Sequence, residues 1–317
     1  MAHDVSFPER FTEPPGWQWG RFTSAQGAAI RFGYLRHDSP RAIAVIVTGF
    51  REFGEKYFEV VRDLHDRGLE VWQMDWRGQG GSDHYLPDPQ KPWYQGYDRD
   101  ADDLQQFSTK IVERRDGIPM FVIAHSMGGH ITIRHLHDYP GTFDFAVLTA
   151  PMFRINTGGI PKWVARPLAW GGDIASPESY VIGGKAWEYD HDFAVEDSDV
   201  SQDPVRYRIG EEYMRLNPML RLGGATFGWL RNAFRSISII NEPDYLSQIR
   251  TPLLLASPRN DQIVLPEAHD AACKAMPACE VFPIAGAKHE IWMERDDFRG
   301  PWLERFDAFV ARQLERR

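Results

Sequence analysis

The chain has 317 residues and carries 36 Lys and Arg against 45 Asp and Glu, a formal charge of −9 with histidine neutral. A chain of this size, one large domain or two small ones, buries about 75% of its unfolded surface, so its core needs no metal or disulfide staple. The acidic balance argues against a phosphate-backbone partner, and no nucleic acid is expected. The longest apolar run, residues 42–47, has six residues, far below the ~20 that span a bilayer. The first residues show neither the basic start nor the apolar stretch of a secretory leader, so cytoplasmic residence is the expectation. In a reducing compartment Cys273 and Cys279 read as free, small core residues rather than as a pair.

Residues 17–35 read as two antiparallel edge strands turning at Gln26-Gly27. Apolar runs then alternate with helical patterns: strand 43–47, helix 57–67, strand 69–74, helix 98–113, strand 120–123, helix 128–138 and strand 145–148. Such alternation predicts an α/β fold with a mainly parallel central sheet flanked by helices. Past Pro151 the alternation stops. Residues 152–240 carry four Gly-Gly pairs, several prolines and many aromatics, which suits an inserted, mostly helical lid. The pattern resumes with strand 253–256, helix 266–275, strand 280–282 and a last helix with Phe298, Trp302, Phe306, Phe309 and Val310 on one face. The expected organisation is core 1–151, lid 152–240 and core again 241–317.

The sharpest chemical signal is Ala124-His125-Ser126-Met127-Gly128, between an apolar strand and a helix. A turn this tight needs small residues two before and two after the serine, and Ala124 and Gly128 meet that need. The turn lifts the Ser126 hydroxyl above the sheet edge, near the positive end of the next helix. A serine is a weak nucleophile until a base takes its proton, and the base needs an orienting acid. His289, in Gly286-Ala287-Lys288-His289-Glu290, follows the last strand, and Asp261, in Pro258-Arg259-Asn260-Asp261, follows the strand before it. Both stand at carboxyl ends of strands, where open α/β sheets place ligands. Ser126 is therefore the expected nucleophile, His289 the base and Asp261 the orienting acid, with Asp270 the competing acid. Backbone N–H groups of Met127 and of Phe50, in Thr48-Gly49-Phe50 after strand 43–47, are the expected oxyanion donors.

Other motifs take plainer readings. Alone, Ser126 would be a helix-capping serine. His125 is expected to be structural and to point away from Ser126, while His130, His135 and His137 read as structural or solvent-facing. His289-Glu290 lacks the second histidine of a zinc protease, since Met293 holds that position. Residues 75–83 read as a shaped loop without a phosphate-cradling pattern, and Asp98, Asp100, Asp102 and Asp103 as charges serving a helix dipole. The lid acids Asp190, Asp192, Glu196, Asp197, Asp199 and Asp203 lack calcium-loop spacing. They read as a solvated loop, the functional alternative being recognition of a cationic substrate group. No metal and no cofactor are expected.

The serine turn, the segment Asp75-Trp76-Arg77-Gly78-Gln79-Gly80-Gly81-Ser82 and the ending Lys288-His289-Glu290-Ile291 together resemble the bacterial lysophospholipase and monoacylglycerol-lipase branch of the α/β-hydrolase superfamily. The likeness runs from about residue 28 to the C-terminus, and Asn217-Pro218 and Arg221-Leu222-Gly223-Gly224 carry it into the lid. The resemblance implies an α/β-hydrolase fold and a cofactor-free hydrolase. Its substrate would be a small lipid ester, a lysophospholipid or monoacylglycerol, cleaved through an acyl-serine. Thr48 stands where the family usually has histidine, and Ala124 replaces the first glycine of the serine turn. Trp163, Phe227 and Trp229 are candidate walls for an acyl chain, or else the lid's own core. Membrane contact is expected to be at most transient docking at the inner face. Two rivals stay open: a proline-iminopeptidase-like serine aminopeptidase whose lid carboxylates hold a free amino terminus, and a non-catalytic binding protein on the same scaffold.

Overall fold

The computed structural model of the chain describes residues 7–92, 95–158, 162–192 and 194–316, with backbone alone over 162–168. Among these residues eight strands form one sheet: β1 (Gln18–Thr23), β2 (Ala29–Leu35), β3 (Ala42–Val47), β4 (Leu69–Met74), β5 (Met120–His125), β6 (Phe145–Thr149), β7 (Leu253–Pro258) and β8 (Cys279–Ile284). Their spatial order is β1-β2-β4-β3-β5-β6-β7-β8. The pairs β1–β2 and β2–β4 are antiparallel and the rest parallel.

Every residue of β3, β4, β5 and β6 is buried, as a sheet covered on both faces requires. The period of two in a strand divides them between two cores. Ile43, Val45 and Val47 join the apolar cluster that contains Leu104 of α2 (Tyr97–Gln106) and Ile131 of α3 (Ser126–Asp138). Ala42, Ala44 and Ile46 join the one that contains Val60 of α1 (Phe58–His65) and Trp302 and Phe306 of the C-terminal helix (Asp296–Glu315). From β3 the chain moves to β4 on one side and later to β5 on the other. That reversal opens a crevice at the carboxyl ends of β3 and β5.

Two helices differ from their sequence patterns. The expected helix 98–113 ends at Gln106 and continues as one π turn, Phe107–Ile111, which buries Phe107. The expected helix 57–67 begins as a 3-10 turn, Gly54–Tyr57. The cysteines also differ from expectation. Cys273, in the last turn of α7 (Pro266–Ala275), and Cys279, the first residue of β8, form a disulfide. The helix-to-strand turn brings their Cα atoms to 5.2 Å, inside the span one bridge covers.

Between β6 and β7 the insert supplies α4 (Lys162–Ala175), α5 (Pro204–Leu216) and α6 (Phe227–Ile240), and the C-terminal helix is α8. Buried Arg206 ties α5 to the core. Its guanidinium donates to Glu59 of α1 at 2.7 and 3.0 Å, to Asp296 of α8 at 2.7 Å and to the Glu294 carbonyl at 2.8 Å. On the outside of the insert Trp170, Ile174 and Ile182 are exposed. Among the described residues no helix is long and apolar enough to cross a membrane.

Candidate active site

β5 ends at His125 and α3 begins at Ser126, with no residue between them. Ser126 takes φ +50°, a left-handed conformation, which costs a non-glycine residue ~1–3 kcal/mol and persists only where the surroundings hold it. Two glycines allow the close packing here. A Cβ on Gly128 would lie 2.4 Å from the Thr48 carbonyl oxygen, so α3 starts directly against the backbone leaving β3. A Cβ on Gly49 would lie 3.1 Å from Ser126 Cβ and 2.8 Å from Glu52 Oε2. The loop after β3 and the serine turn are thus in contact, backbone to backbone.

Loops after β7 and β8 bring Asp261 and His289 to the same point. His289 Nδ1 lies 2.6 Å from Asp261 Oδ2, and Nε2 lies 2.8 Å from Ser126 Oγ. With the proton on Nδ1, where it meets the carboxylate, Nε2 is left to accept from the Ser126 hydroxyl. The other Asp261 oxygen accepts from the amides of Ile263 and Val264 at 2.7 and 3.0 Å, which locks the carboxylate plane. Burial disfavours a charged His289, but the charge and hydrogen bond of Asp261, with Glu290 and Glu52 behind, outweigh it and raise its pKa above the ordinary imidazole value. Burial pushes Asp261 the opposite way, and the His289 charge and the hydrogen bonds hold it below the usual carboxylate range. Asp270 is out of reach, paired with Arg259 at 2.7 and 2.8 Å.

Ser126 and His289 floor a cavity of about 450 Å³, within the ~300–1,000 Å³ common for small-molecule sites. Phe50 lines it, and the Phe50 N–H meets no acceptor among the described residues. Met127 lies in the first turn of α3, whose amides have no partner inside the helix. The roof comes from the insert: Asp197, Asp199, Val200, Tyr207, Glu211 and Met214. The roof loop is laced to the loop that carries His289, since the Glu290 N–H donates to the Val200 carbonyl at 2.8 Å and Ser201 Oγ to that of Met293 at 2.6 Å.

Several sequence expectations land elsewhere. Trp229 packs behind Phe50, ring centroids 4.3 Å apart, and Phe227 lies against Gly172 of α4. Neither lines the cavity, and the reason is that the lid must bury its own aromatics to be ordered. Trp163 falls on α4 at a position whose side chain lies outside the described residues. His125 does not turn away from the site: it lines the cavity, packs on the His289 ring at 4.7 Å and is pushed down to about 4 by burial. Of the acids of α2, Asp103 forms a buried pair with Arg77 at 2.5 Å and Asp102 accepts from Tyr139, so they tie elements together rather than only serving a dipole.

The sequence reading missed a buried polar group beside the triad. Lys56 Nζ donates to Glu52 Oε1 at 2.9 Å and to Glu290 Oε1 at 2.6 Å, and Tyr57 donates to Glu52 Oε2 at 2.8 Å. Burial alone would raise the Glu52 pKa, but the charge of Lys56, with His125 and the hydrogen bonds from Lys56 and the Gly49 amide, pulls it to about 2. The available signals were the four-residue spacing of Glu52 and Lys56 and the place of Glu290 beside His289.

A serine held by a histidine–carboxylate pair at the carboxyl edge of a doubly wound sheet, under an inserted cap, defines a serine hydrolase of the α/β-hydrolase fold. Residues 38–296 match the family model described as serine aminopeptidase, S33, and the chain belongs to that family. It is 32% identical over 305 residues to lysophospholipase L2 of Escherichia coli, covering 92% of this chain and 86% of that protein. It is 22% identical over 278 residues to a monoglyceride lipase homolog of monkeypox virus, covering 87% and 91%. Its fold is shared by a solved monoglyceride lipase of Saccharomyces cerevisiae, with a TM-score of 0.75 at 18% identity, over 98% of this chain and 97% of that one. The protein is a carboxylic ester hydrolase.

Proposed function

We propose that the enzyme hydrolyses the single acyl ester of a lysophospholipid or monoacylglycerol through an acyl-Ser126 intermediate. The observation that carries this reading is the His289 imidazole set between Asp261 Oδ2 at 2.6 Å and Ser126 Oγ at 2.8 Å on the floor of a roofed cavity. The similarity to a lysophospholipase over most of both chains supports the lipid substrate. In this mechanism His289 takes the Ser126 proton as Oγ adds to the ester carbonyl, and Asp261 stabilises the imidazolium. The carbonyl oxygen, now an anion, is met by the Phe50 and Met127 amides. The imidazolium then protonates the departing glycerol oxygen. Water, deprotonated by His289, attacks the acyl-serine, and the fatty acid leaves as Ser126 regains its proton.

The test is a total lipid extract incubated with the enzyme and read by mass spectrometry, beside a prolyl amide and a fluorophosphonate probe. Loss of single-chain glycerolipids, release of their fatty acids and labelling of Ser126 are expected. Cleavage of the prolyl amide with the lipids untouched overturns the reading in favour of an aminopeptidase.

A further inference from the structure

The segment 75–83, read from sequence as a shaped loop, holds a buried side chain aimed at the loop after β3. Gln79 is fully buried. Its Nε2 donates to the carbonyls of Gly49 at 2.7 Å and Glu52 at 2.9 Å, and its Oε1 accepts from the Arg51 amide at 3.3 Å. Trp76 Nε1 donates to the Thr48 carbonyl at 2.8 Å. From the other side Glu52 Oε2 accepts from the Gly49 amide at 2.5 Å. Gly49 is thereby tied through both its N–H and its C=O, and Arg51 is held at φ +64°, a left-handed strain that a free loop would relax.

The planarity of the peptide bond gives these contacts a direction. The Gly49 carbonyl and the Phe50 N–H belong to one trans peptide, so they point opposite ways. Gln79, by holding the carbonyl, turns the Phe50 N–H away from itself. We propose that Gln79 and Glu52 are positioning residues of the oxyanion hole: together they clamp the 48–52 loop so that the Phe50 amide faces the oxygen of the carbonyl attacked by Ser126. Lys56, between Glu52 and Glu290, keeps the Glu52 carboxylate charged and in place. The inference rests on the assignment of Ser126 as nucleophile.

A structural role alone would change stability; a positioning role changes affinity for the oxyanion. Gln79→Met keeps the shape and removes all three hydrogen bonds. In the folded variant kcat on a p-nitrophenyl ester is expected to fall ~10²-fold with KM nearly unchanged. The inhibition constant of a trifluoromethyl ketone, whose serine adduct is an oxyanion, should rise by the same factor. Glu52→Gln, which keeps the acceptor but loses the charge, should show ~10-fold changes in both, and it carries the test if Gln79→Met does not fold. A folded variant of either kind with unchanged kcat and inhibitor affinity, or with a higher KM at unchanged kcat, overturns the proposal. Ser126→Ala run in parallel separates the two readings: wild-type turnover there retires the nucleophile itself, whereas an inactive Ser126→Ala beside unaltered Gln79 and Glu52 variants retires the clamp alone.

Discussion

The floor and the roof of the cavity are built on different principles. The floor consists of loops leaving β3, β5, β7 and β8, and its polar side chains are buried and bonded to one another: Ser126 to His289 to Asp261, and Glu52 to Lys56 to Glu290. The roof is an insert tied to the core through Arg206, through the laced loop at residues 198–203 and through α6, whose Ser236 meets His130 and Arg134 of α3, and it presents Asp197, Asp199, Tyr207 and Glu211 to the cavity. A floor of mutually satisfied groups tolerates little change, because removing one partner leaves another buried and unpaired. On the proposed mechanism, the groups that react with the ester lie on strand ends, while the insert supplies the wall that meets the rest of the substrate.

The largest effects are expected at Ser126 and His289. Ser126→Ala and His289→Ala should each lower kcat by about 10⁴-fold or more, and the double variant should lose little beyond either one, because in the proposed mechanism the groups act on one transition state. Additive losses in steady-state kinetics would show that the two residues are not partners. Next in size is the floor's packing. Gly128→Ala sets a Cβ against the Thr48 carbonyl, a backbone atom that cannot swing aside, and denaturant titration should show a loss of about 3 kcal/mol together with reduced activity.

Away from the cavity the same experiment should separate stability from activity. Replacing Cys273 and Cys279 with alanine releases a short loop in the unfolded chain and should cost about 2 kcal/mol with kcat unchanged. The roof should respond to acyl length instead. kcat/KM on p-nitrophenyl esters is expected to climb from acetate to medium chains by up to ~0.8 kcal/mol per buried methylene, then level off. Met214→Ala should flatten that climb and leave the shortest ester unaffected; a flat wild-type profile would remove the acyl pocket from the account. The smallest effect is in pH. In the proposed mechanism His289 must be neutral to accept the Ser126 proton, and its pKa is raised. kcat/KM should therefore rise with pH through an ionisation above the ordinary ~6.5 of histidine. A limb at or below that value would contradict the close pairing with Asp261.

Much of the fold was legible because its signals are local. Apolar runs with turn residues at their ends marked β3 through β7 within one or two residues, and α7 coincides with its predicted span, 266–275. The serine turn was legible for the same reason: its steric demands fall on Ala124 and Gly128, within two residues of Ser126. The lid aromatics were ambiguous, since a ring's hydrophobicity says that it is buried but not against what. Trp229 and Phe227 took lid and loop partners. The disulfide went unread because it depended on a compartment inferred from the first residues and on a Cα separation that spacing alone does not supply.

The alternation that makes a parallel sheet and the tight serine turn between strand and helix are demands of neighbouring residues on one another, and so could be read along the chain. The fold as a whole brings Gln79 onto the loop bearing Phe50, joins Lys56 to Glu290, 234 positions further on, and anchors the roof to α1 and α8 through Arg206. Those contacts join segments remote in the chain. Buried hydrogen bonds and ion pairs of that kind follow from which backbones meet, and no local pattern encodes it.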